Sequence, residues 1–141
     1  MASVIAGLAG GLAATIAMTA LMMVMGDDDP PPTAGLVAKV AGGEPGDHAM
    51  PGMVLHLIYG IVAGVVFAVG VPVLGLSLGS LGVAIGLGIV YGIVLMIGGM
   101  MFWMRMVLGM EPDKGMMVMF GTVHVVYGVV LGAFLGLGIL A

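Results

Sequence analysis

The chain has 141 residues, of which 62% are hydrophobic and 7% are charged, and its formal net charge at pH 7 is −4. A soluble domain of this length cannot cover its surface with so few charged groups, so the composition excludes an ordinary water-soluble fold. The negative balance argues against nucleic acid or anionic lipid as partners. Because the chain has no cysteine, disulfides, iron–sulfur clusters and thiolate zinc sites are also excluded.

The charged residues are segregated along the chain. All ten lie in two windows, 27–47 and 105–114, and uncharged stretches cover 2–26, 48–104 and 115–141. A membrane-spanning helix needs about 20 apolar residues, so each outer stretch predicts one span and the central stretch predicts two. We therefore expect a single all-α transmembrane domain over 1–141, which forms a polytopic four-helix bundle in the lipid bilayer.

The first span is predicted over about 3–25, where a glycine, an aspartate run and three prolines end it. A secretory signal is the alternative, but this stretch lacks a basic start and exceeds the usual length of about 7–15 apolar residues, which favours a retained helix. In the loop that follows, Thr33 is a candidate N-cap for a short helix over 34–40, which Gly42 and Gly43 would end.

The other three spans are predicted over about 51–70, 79–104 and 115–140. Pro51 suits the first turn of the second span, because a proline at that position loses no hydrogen bond. The central hairpin should turn near Pro72 and the glycine-rich run that follows it, and the fourth span should begin after Asp113.

The two halves carry the same motifs in the same order. Each has Met-x3-Met-Met, then Glu-Pro, then His-x-x-Tyr-Gly, within 18–60 in the first half and within 96–128 in the second. We expect repeat 1 over 1–70 and repeat 2 over 79–141, as two parallel helical hairpins related by a pseudo-two-fold axis along the membrane normal. Residues near that axis become candidates for a shared site.

The basic residues predict an orientation. All three lie in the charged loops, 26–50 and 105–114, whereas the central hairpin and both termini have none. The positive-inside rule places these loops in the cytoplasm and both termini outside, as in a multi-pass protein of the cell membrane.

Glycines at four-residue spacing predict how the helices pack. Gly60 and Gly64 lie on the second span, and Gly128 and Gly132 lie on the fourth. In lipid, small residues let helix backbones approach closely. His56 and His124 each precede such a stripe by one turn, so both should face other helices rather than lipid.

The two histidines are predicted at similar depth. At about 1.5 Å rise per residue, His56, His124, Met18 and Met96 each lie about 13–15 Å from a charged residue near the end of their span. An ionisable group inside the bilayer is costly to bury unsatisfied, which makes the pair a candidate site. The alternative is a structural role, in which each neutral ring donates to a carbonyl or a hydroxyl.

Methionine is abundant, with 16 in the chain. Met18, Met22, Met96 and Met100 repeat at i and i+4 on two equivalent helices. Thioether sulfur suits Cu(I), and imidazole suits copper and iron, whereas packing is the alternative role for this flexible apolar side chain. The five methionines within 106–119 lie near the charged face and indicate packing or interfacial roles.

Two further groups complete the predicted site. Tyr59 and Tyr127 follow the histidines by three residues, where they support the site or form interhelical hydrogen bonds. The acidic residues of the loops would line a charged mouth; these are Glu44, Asp47, Glu111 and Asp113.

Two resemblances accompany these motifs. Met-x3-Met within a membrane helix resembles the motif of the Ctr-type copper transporters, in which rings of such methionines line the permeation path; the resemblance implies Met18, Met22, Met96 and Met100 as ligands. Those transporters have three spans, whereas this chain has four and a duplicated half. The whole chain also resembles uncharacterised four-span prokaryotic membrane proteins, several from halophilic archaea, with a Gly/Ala-rich first helix and His-x-x-x-Gly in the second. That resemblance implies the fold and no known activity.

Three functions remain open. The first is binding or conduction of a soft metal ion, with copper the best match to the His/Met site. The second is a membrane cytochrome in which His56 and His124 ligate one b-type haem, although close glycine stripes would leave little room for it. The third is a structural or accessory subunit of a larger membrane complex or homo-oligomer. Enzyme motifs are absent from the sequence, so we expect no catalytic residues.

Overall fold

The computed structural model describes residues 4–25 and 29–140, and within them the chain is helical and contains no β-strand. Four segments are long and apolar enough to cross a membrane: Val4–Val24, Pro45–Val73, Leu81–Val107 and Lys114–Gly136. The prediction of an all-α chain with four helices suited to a membrane is therefore confirmed. Residue 3, where the first span is predicted to start, and residues 26–28, which belong to the sequence predicted to end it, lie outside the described residues.

The helices follow one another with short connections. Helix α1 covers Val4–Val24, and the short helix α2 covers Pro32–Ala41. A 3-10 turn at Pro45–His48 leads directly into α3, which covers Ala49–Val73. Helix α4 covers Leu81–Gly98 and continues as a π-helix over Gly99–Val107, and α5 covers Lys114–Gly136. The predicted spans overlap these helices, with ends displaced by a few residues.

Helix α2 begins differently from the prediction. Pro31 is its N-cap and Pro32 occupies its first turn, where the fixed φ and missing N–H of proline suit a helix start. Thr33 therefore lies inside the helix, and its hydroxyl donates to the Gly52 carbonyl of α3 at 2.5 Å. The prediction of Thr33 as the N-cap is wrong. The helix ends before Gly42, whose φ of 84° is a conformation that glycine adopts readily.

The last part of the third span is π-helical. Its hydrogen bonds join residues five apart, as from Leu108 N to the Trp103 carbonyl at 2.9 Å. The turn is wider than an α-turn, so side chains that share a face recur every four to five residues. The Lys39 ammonium of α2 donates to the Val107 carbonyl. The last carbonyls of a helix have no partner within it, and Lys39 provides one here.

Glycine contacts join the spans in two close pairs. Helix α1 packs on α3, where a Cβ added to Gly7 would lie 2.7 Å from the Val65 Cα. Helix α4 packs on α5, where a Cβ added to Gly88 would overlap the Gly128 carbonyl. These contacts leave no room for a side chain, which lets the backbones approach closely. The predicted packing glycines Gly60, Gly64, Gly128 and Gly132 lie in these two interfaces.

The two pairs meet through α1 and α5. Between α3 and α4, the described residues show no comparable backbone contact. An aromatic side chain bridges them instead: the Tyr91 ring of α4 lies 4.9 Å from the Phe67 ring of α3, and its hydroxyl donates to the Ala63 carbonyl at 2.7 Å. Helices α3 and α4 are thus held apart at this level, and an open space remains towards the charged loops.

The substitutions Gly88→Ala and Gly86→Ala test the packing on a single helix. A Cβ on Gly88 would overlap the Gly128 carbonyl, whereas nothing lies within 4 Å of a Cβ on Gly86. We expect Gly88→Ala to lower the free energy of unfolding by about 1–3 kcal/mol. Gly86→Ala should leave it unchanged or raise it slightly, since alanine favours a helix. Unfolding in mixed micelles of increasing SDS content measures both, and equal stabilities would contradict the close packing of α4 on α5.

Candidate ligand-binding cavity

A cavity of about 680 Å³ lies between the four spans, in the half of the bundle that faces the charged loops. All four spans contribute to its wall, and α2 with the prolines before it covers the end near the loops. The lining reaches Tyr127 at the inner end and Asp29 and Asp113 at the outer end. Both predicted histidines, His56 and His124, belong to the wall. The volume is typical of small-molecule and cofactor sites, about 300–1,000 Å³.

His56 is oriented by α1. Its Nε2 lies 3.3 Å from Thr19 Oγ1, and the Thr19 hydroxyl already donates to the Thr15 carbonyl at 2.7 Å. A hydroxyl has only one hydrogen to donate, so Thr19 accepts from His56 and Nε2 carries the ring hydrogen. In the neutral ring, Nδ1 therefore keeps its lone pair.

His124 is oriented by its own helix. Its Nδ1 lies 2.7 Å from the Phe120 carbonyl oxygen, and because a carbonyl only accepts, Nδ1 donates and Nε2 keeps the lone pair. The imidazole also stacks on the Phe120 ring, with centroids 5.1 Å apart. Donation of one ring N–H to a backbone carbonyl is the arrangement that commonly orients a metal-binding histidine.

Both imidazoles thus keep an unshared electron pair in one cavity. The described residues provide no hydrogen-bond partner for Nδ1 of His56 or Nε2 of His124. Among the same residues, no fully buried polar side-chain atom lacks a partner, so neither of these two nitrogens is sealed in apolar packing. The structural hydrogen bonds expected as the alternative are present, but each uses only one nitrogen of its ring.

Two of the four predicted methionines line the cavity. Met18 is 5% exposed and lies with Met22 on the α1 side of the wall. Met96 and Met100 of α4 are not lining residues. The Met96 sulfur instead faces α5, 3.3 Å from where a Cβ on Gly121 would lie. A metal-binding role for the four methionines stays a prediction.

In the third span, the π-helix changes which side chains face the cavity. The lining residues of this span and of the turn that follows it are Leu95, Gly99, Trp103, Met104 and Leu108. Two pairs of them, Gly99 with Met104 and Trp103 with Leu108, are five residues apart, as the wider π-turn allows, whereas side chains on one face of the predicted α-helix would recur every three to four residues. Met104 is 1% exposed and lines the wall, where the repeated motif predicts Met100.

Four methionines of the wall were not predicted as site residues. They are Met104, Met110, Met116 and Met119. The sequence indicates packing or interfacial roles for the last three. The i, i+3 spacing of Met116 and Met119 is a signal that they share a helix face. The position of Met110 depends on the path of the loop before α5, for which the sequence carries no signal.

Tyrosines close the inner end of the cavity. Tyr127 is 2% exposed, and its hydroxyl donates to the Gly60 carbonyl of α3 at 2.6 Å. Tyr91, which was not among the predicted residues, donates to the Ala63 carbonyl one turn deeper. Tyr59 also lines the cavity but is 44% exposed, and its hydroxyl has no hydrogen-bond partner in the part of the chain that the structure describes. Tyr127 therefore makes the expected interhelical hydrogen bond, and Tyr59 does not.

One of the four predicted mouth residues lines the cavity. Asp113 lies at the outer end, where its carboxylate also caps α5 by accepting from a backbone N–H at 2.8 Å. Glu44, Asp47 and Glu111 are not lining residues, and Asp47 instead accepts from the Glu44 backbone N–H at 3.0 Å. Asp29 joins Asp113 at the outer end. Within residues 4–25 and 29–140, no group of three or more His, Asp or Glu could hold a metal ion by those ligands alone.

Comparison with protein families, curated proteins and solved structures found no match for this chain. The resemblances to the Ctr-type transporters and to the uncharacterised four-span proteins therefore stay predictions. Roles for the cavity residues rest on their geometry.

Tyr127→Phe tests the closure of the inner end. Removing the hydroxyl deletes the hydrogen bond to the Gly60 carbonyl, so we expect the free energy of unfolding to fall by about 0.5–1.5 kcal/mol. Tyr59→Phe is the matched control and should change it by less than about 0.5 kcal/mol. SDS-induced unfolding measures both. A loss for Tyr59→Phe as large as for Tyr127→Phe would show that the hydrogen bond is not the cause.

Proposed function

We propose that this protein binds a soft metal ion inside the membrane, with Cu(I) as the best match to the cavity. The observation that carries the proposal is that His56 and His124 line one cavity, and that each ring has one nitrogen, Nδ1 of His56 and Nε2 of His124, with no hydrogen-bond partner among the described residues. The thioethers of Met18 and Met22 belong to the same wall. Thioether sulfur is a soft donor that selects Cu(I), and imidazole also suits copper.

The charge of these donors favours a monovalent ion. Hard divalent ions such as Ca²⁺ take several oxygen ligands, among them carboxylates. The helices that carry the imidazoles, α3 and α5, contain no Asp or Glu, and the cavity carboxylates of Asp29 and Asp113 lie at the outer end. An ion among neutral ligands keeps its full charge in a medium of low dielectric constant, so a single charge is less costly than two.

We also propose that the two halves are parallel repeats around this site. The repeated motifs support this, together with the glycine contacts that join α1 to α3 and α4 to α5. Each of these pairs brings one histidine to the cavity. Met96 and Met100 depart from the symmetry, so the thioethers near the imidazoles would come from α1 and the π-helix. Under the positive-inside rule, the outer end of the cavity faces the cytoplasm.

Histidine variants test the metal site. Purified protein should bind one Cu(I) ion under anaerobic conditions, and His56→Ala and His124→Ala should each weaken binding at least about tenfold. His48→Ala is the matched control, because His48 lies outside the cavity and its Nε2 donates to the Gly42 carbonyl. Competition with a chromophoric Cu(I) chelator measures affinity, and X-ray absorption reports nitrogen and sulfur ligands. Equal Cu(I) binding by the wild type and the double variant would refute the site.

A bis-histidine haem b site is the second candidate, and the cavity volume favours it. The glycine stripes were expected to leave no gap for haem, but they join the helices within each pair and leave about 680 Å³ open elsewhere. His124 presents Nε2, the ring nitrogen farther from its backbone, as an axial ligand would. His56 presents Nδ1, which is bonded to Cγ and is the ring nitrogen nearer to the backbone. A porphyrin bound there would therefore approach the α3 backbone. Because of this close approach, we propose haem b as the second candidate, after a soft metal ion.

Haem titration separates the two candidates. If haem b binds, an equimolar amount added to the purified protein should give a red-shifted Soret band that His56→Ala and His124→Ala weaken and His48→Ala does not. If the site holds a bare metal ion, the spectrum should remain that of free haem in micelles. The second outcome removes the cytochrome hypothesis.

A further inference from the structure

The cavity wall is enriched in methionine. Leucine, valine and isoleucine together outnumber methionine almost threefold in the chain, yet the wall contains six methionines and only five residues of those three types. The six are Met18, Met22, Met104, Met110, Met116 and Met119. Methionine fills irregular gaps well, and each methionine also adds a polarisable thioether sulfur to the wall. The wall is therefore rich in soft, uncharged donor atoms.

The wall methionines lie at successive depths. Met116 lies in the first turn of α5, Met119 lies one turn further, and His124 follows about 8 Å beyond it along the helix axis. On α1, Met22 lies nearer to the charged loops than Met18 by about 6 Å. Sulfur atoms therefore occur at several levels between the loops and the imidazoles.

The outer end of the cavity suits the entry of a cation. Asp29 and Asp113 line it there together with Met110, which is 37% exposed. The carboxylates attract a cation from water, and the thioether offers a soft ligand where the aqueous face ends. At the inner end, the lining residues end with Tyr127 and Ala63, where Tyr127 and Tyr91 donate to carbonyls of α3. The cavity thus leads from the charged loops past the imidazoles and ends within about one turn of them.

We infer that Met110, Met116 and Met119 form a thioether entry route that delivers a soft monovalent ion to His56 and His124. The inference rests on the metal site proposed above and adds the ligands that the ion meets first. Each thioether is uncharged, so the ion exchanges one sulfur for the next without leaving an unpaired charge in the apolar layer. Weak ligands at several levels permit release as well as capture.

Met117 supplies a matched control on the same turn of α5. It is 40% exposed and is not a lining residue, whereas Met116 and Met119 line the cavity. Leucine replaces methionine at similar volume. Met116→Leu and Met119→Leu therefore remove sulfur from the route, and Met117→Leu removes it from the outer face of the helix.

Footprinting with Ag(I) tests whether the ion contacts these side chains. Ag(I) stands in for Cu(I), because it is soft and monovalent and does not react with dilute hydrogen peroxide as Cu(I) does. Peroxide transfers one oxygen atom to the thioether and leaves water, which peptide mass spectrometry detects as methionine sulfoxide. We expect Ag(I) to slow the oxidation of Met116 and Met119 several-fold in the wild type and to leave Met117 unchanged.

The outcomes separate the route from the site. If Ag(I) binds in a His56-dependent manner but Met116 and Met119 oxidise at the same rate with and without it, the route is wrong and the metal site stands. If Ag(I) does not bind at all, both are wrong. Protection of Met117 equal to that of Met116 would show non-specific binding and would also refute the route.

The rate of Cu(I) loading provides a second test. We expect the double variant Met116→Leu/Met119→Leu to take up Cu(I) from a chelator several-fold more slowly than the wild type or Met117→Leu. Its final Cu(I) content and its thermal stability should match those of the wild type. An unchanged loading rate in the folded double variant would overturn the route.

Discussion

Close contact between glycine backbones sets the arrangement on which the cavity depends. In lipid, helices associate through packing and hydrogen bonds rather than through the hydrophobic effect. Glycine residues allow α1 to pack closely on α3, and α4 on α5. At Gly92, for example, an added Cβ would overlap the His124 carbonyl. At the interface of α3 with α4, the rings of Phe67 and Tyr91 stand between the helices instead. This difference in side-chain size leaves space on one side of the bundle, and both imidazoles border that space.

Hydrogen bonding makes the structural and the metal-binding interpretations of the histidines compatible. An unpaired polar atom in the bilayer interior is costly, and each ring satisfies one nitrogen, His56 with the Thr19 hydroxyl and His124 with the Phe120 carbonyl. Those bonds also fix the orientation of each ring and the nitrogen that carries hydrogen. The other nitrogen keeps its lone pair, on a ring that borders the cavity. A bond of this kind is also what commonly orients a metal-binding histidine, so the two interpretations do not exclude each other.

Most of the fold could be predicted because span number and approximate limits follow from the lengths of uncharged runs. The histidines could be assigned to one cavity because their spacing from glycine stripes fixes their helix face. Thr33 was misassigned because the prolines before it begin the helix earlier. The π-helix could not be predicted, since the sequence at Gly99–Val107 carries no signal that distinguishes a π-turn from an α-turn. The presence of Met104 rather than Met100 on the wall follows from that change of pitch.

For the proposed metal site, the hydrogen bonds at the inner end of the cavity distinguish storage of an ion from its conduction. The hydroxyls of Tyr127 and Tyr91 donate to α3 carbonyls one turn apart, and two such bonds together contribute about 1–3 kcal/mol. A ligand shifts an equilibrium only by its difference in affinity between the two states. An ion that opens this end must therefore bind the open state at least about 5–150 times more tightly than the closed one. Tyr127 follows His124 by three residues on α5, so the two side chains share a helix face and the proposed site lies beside the hydrogen bond that would have to open. Conduction requires this coupling, whereas a protein that lacks it holds the ion at the imidazoles.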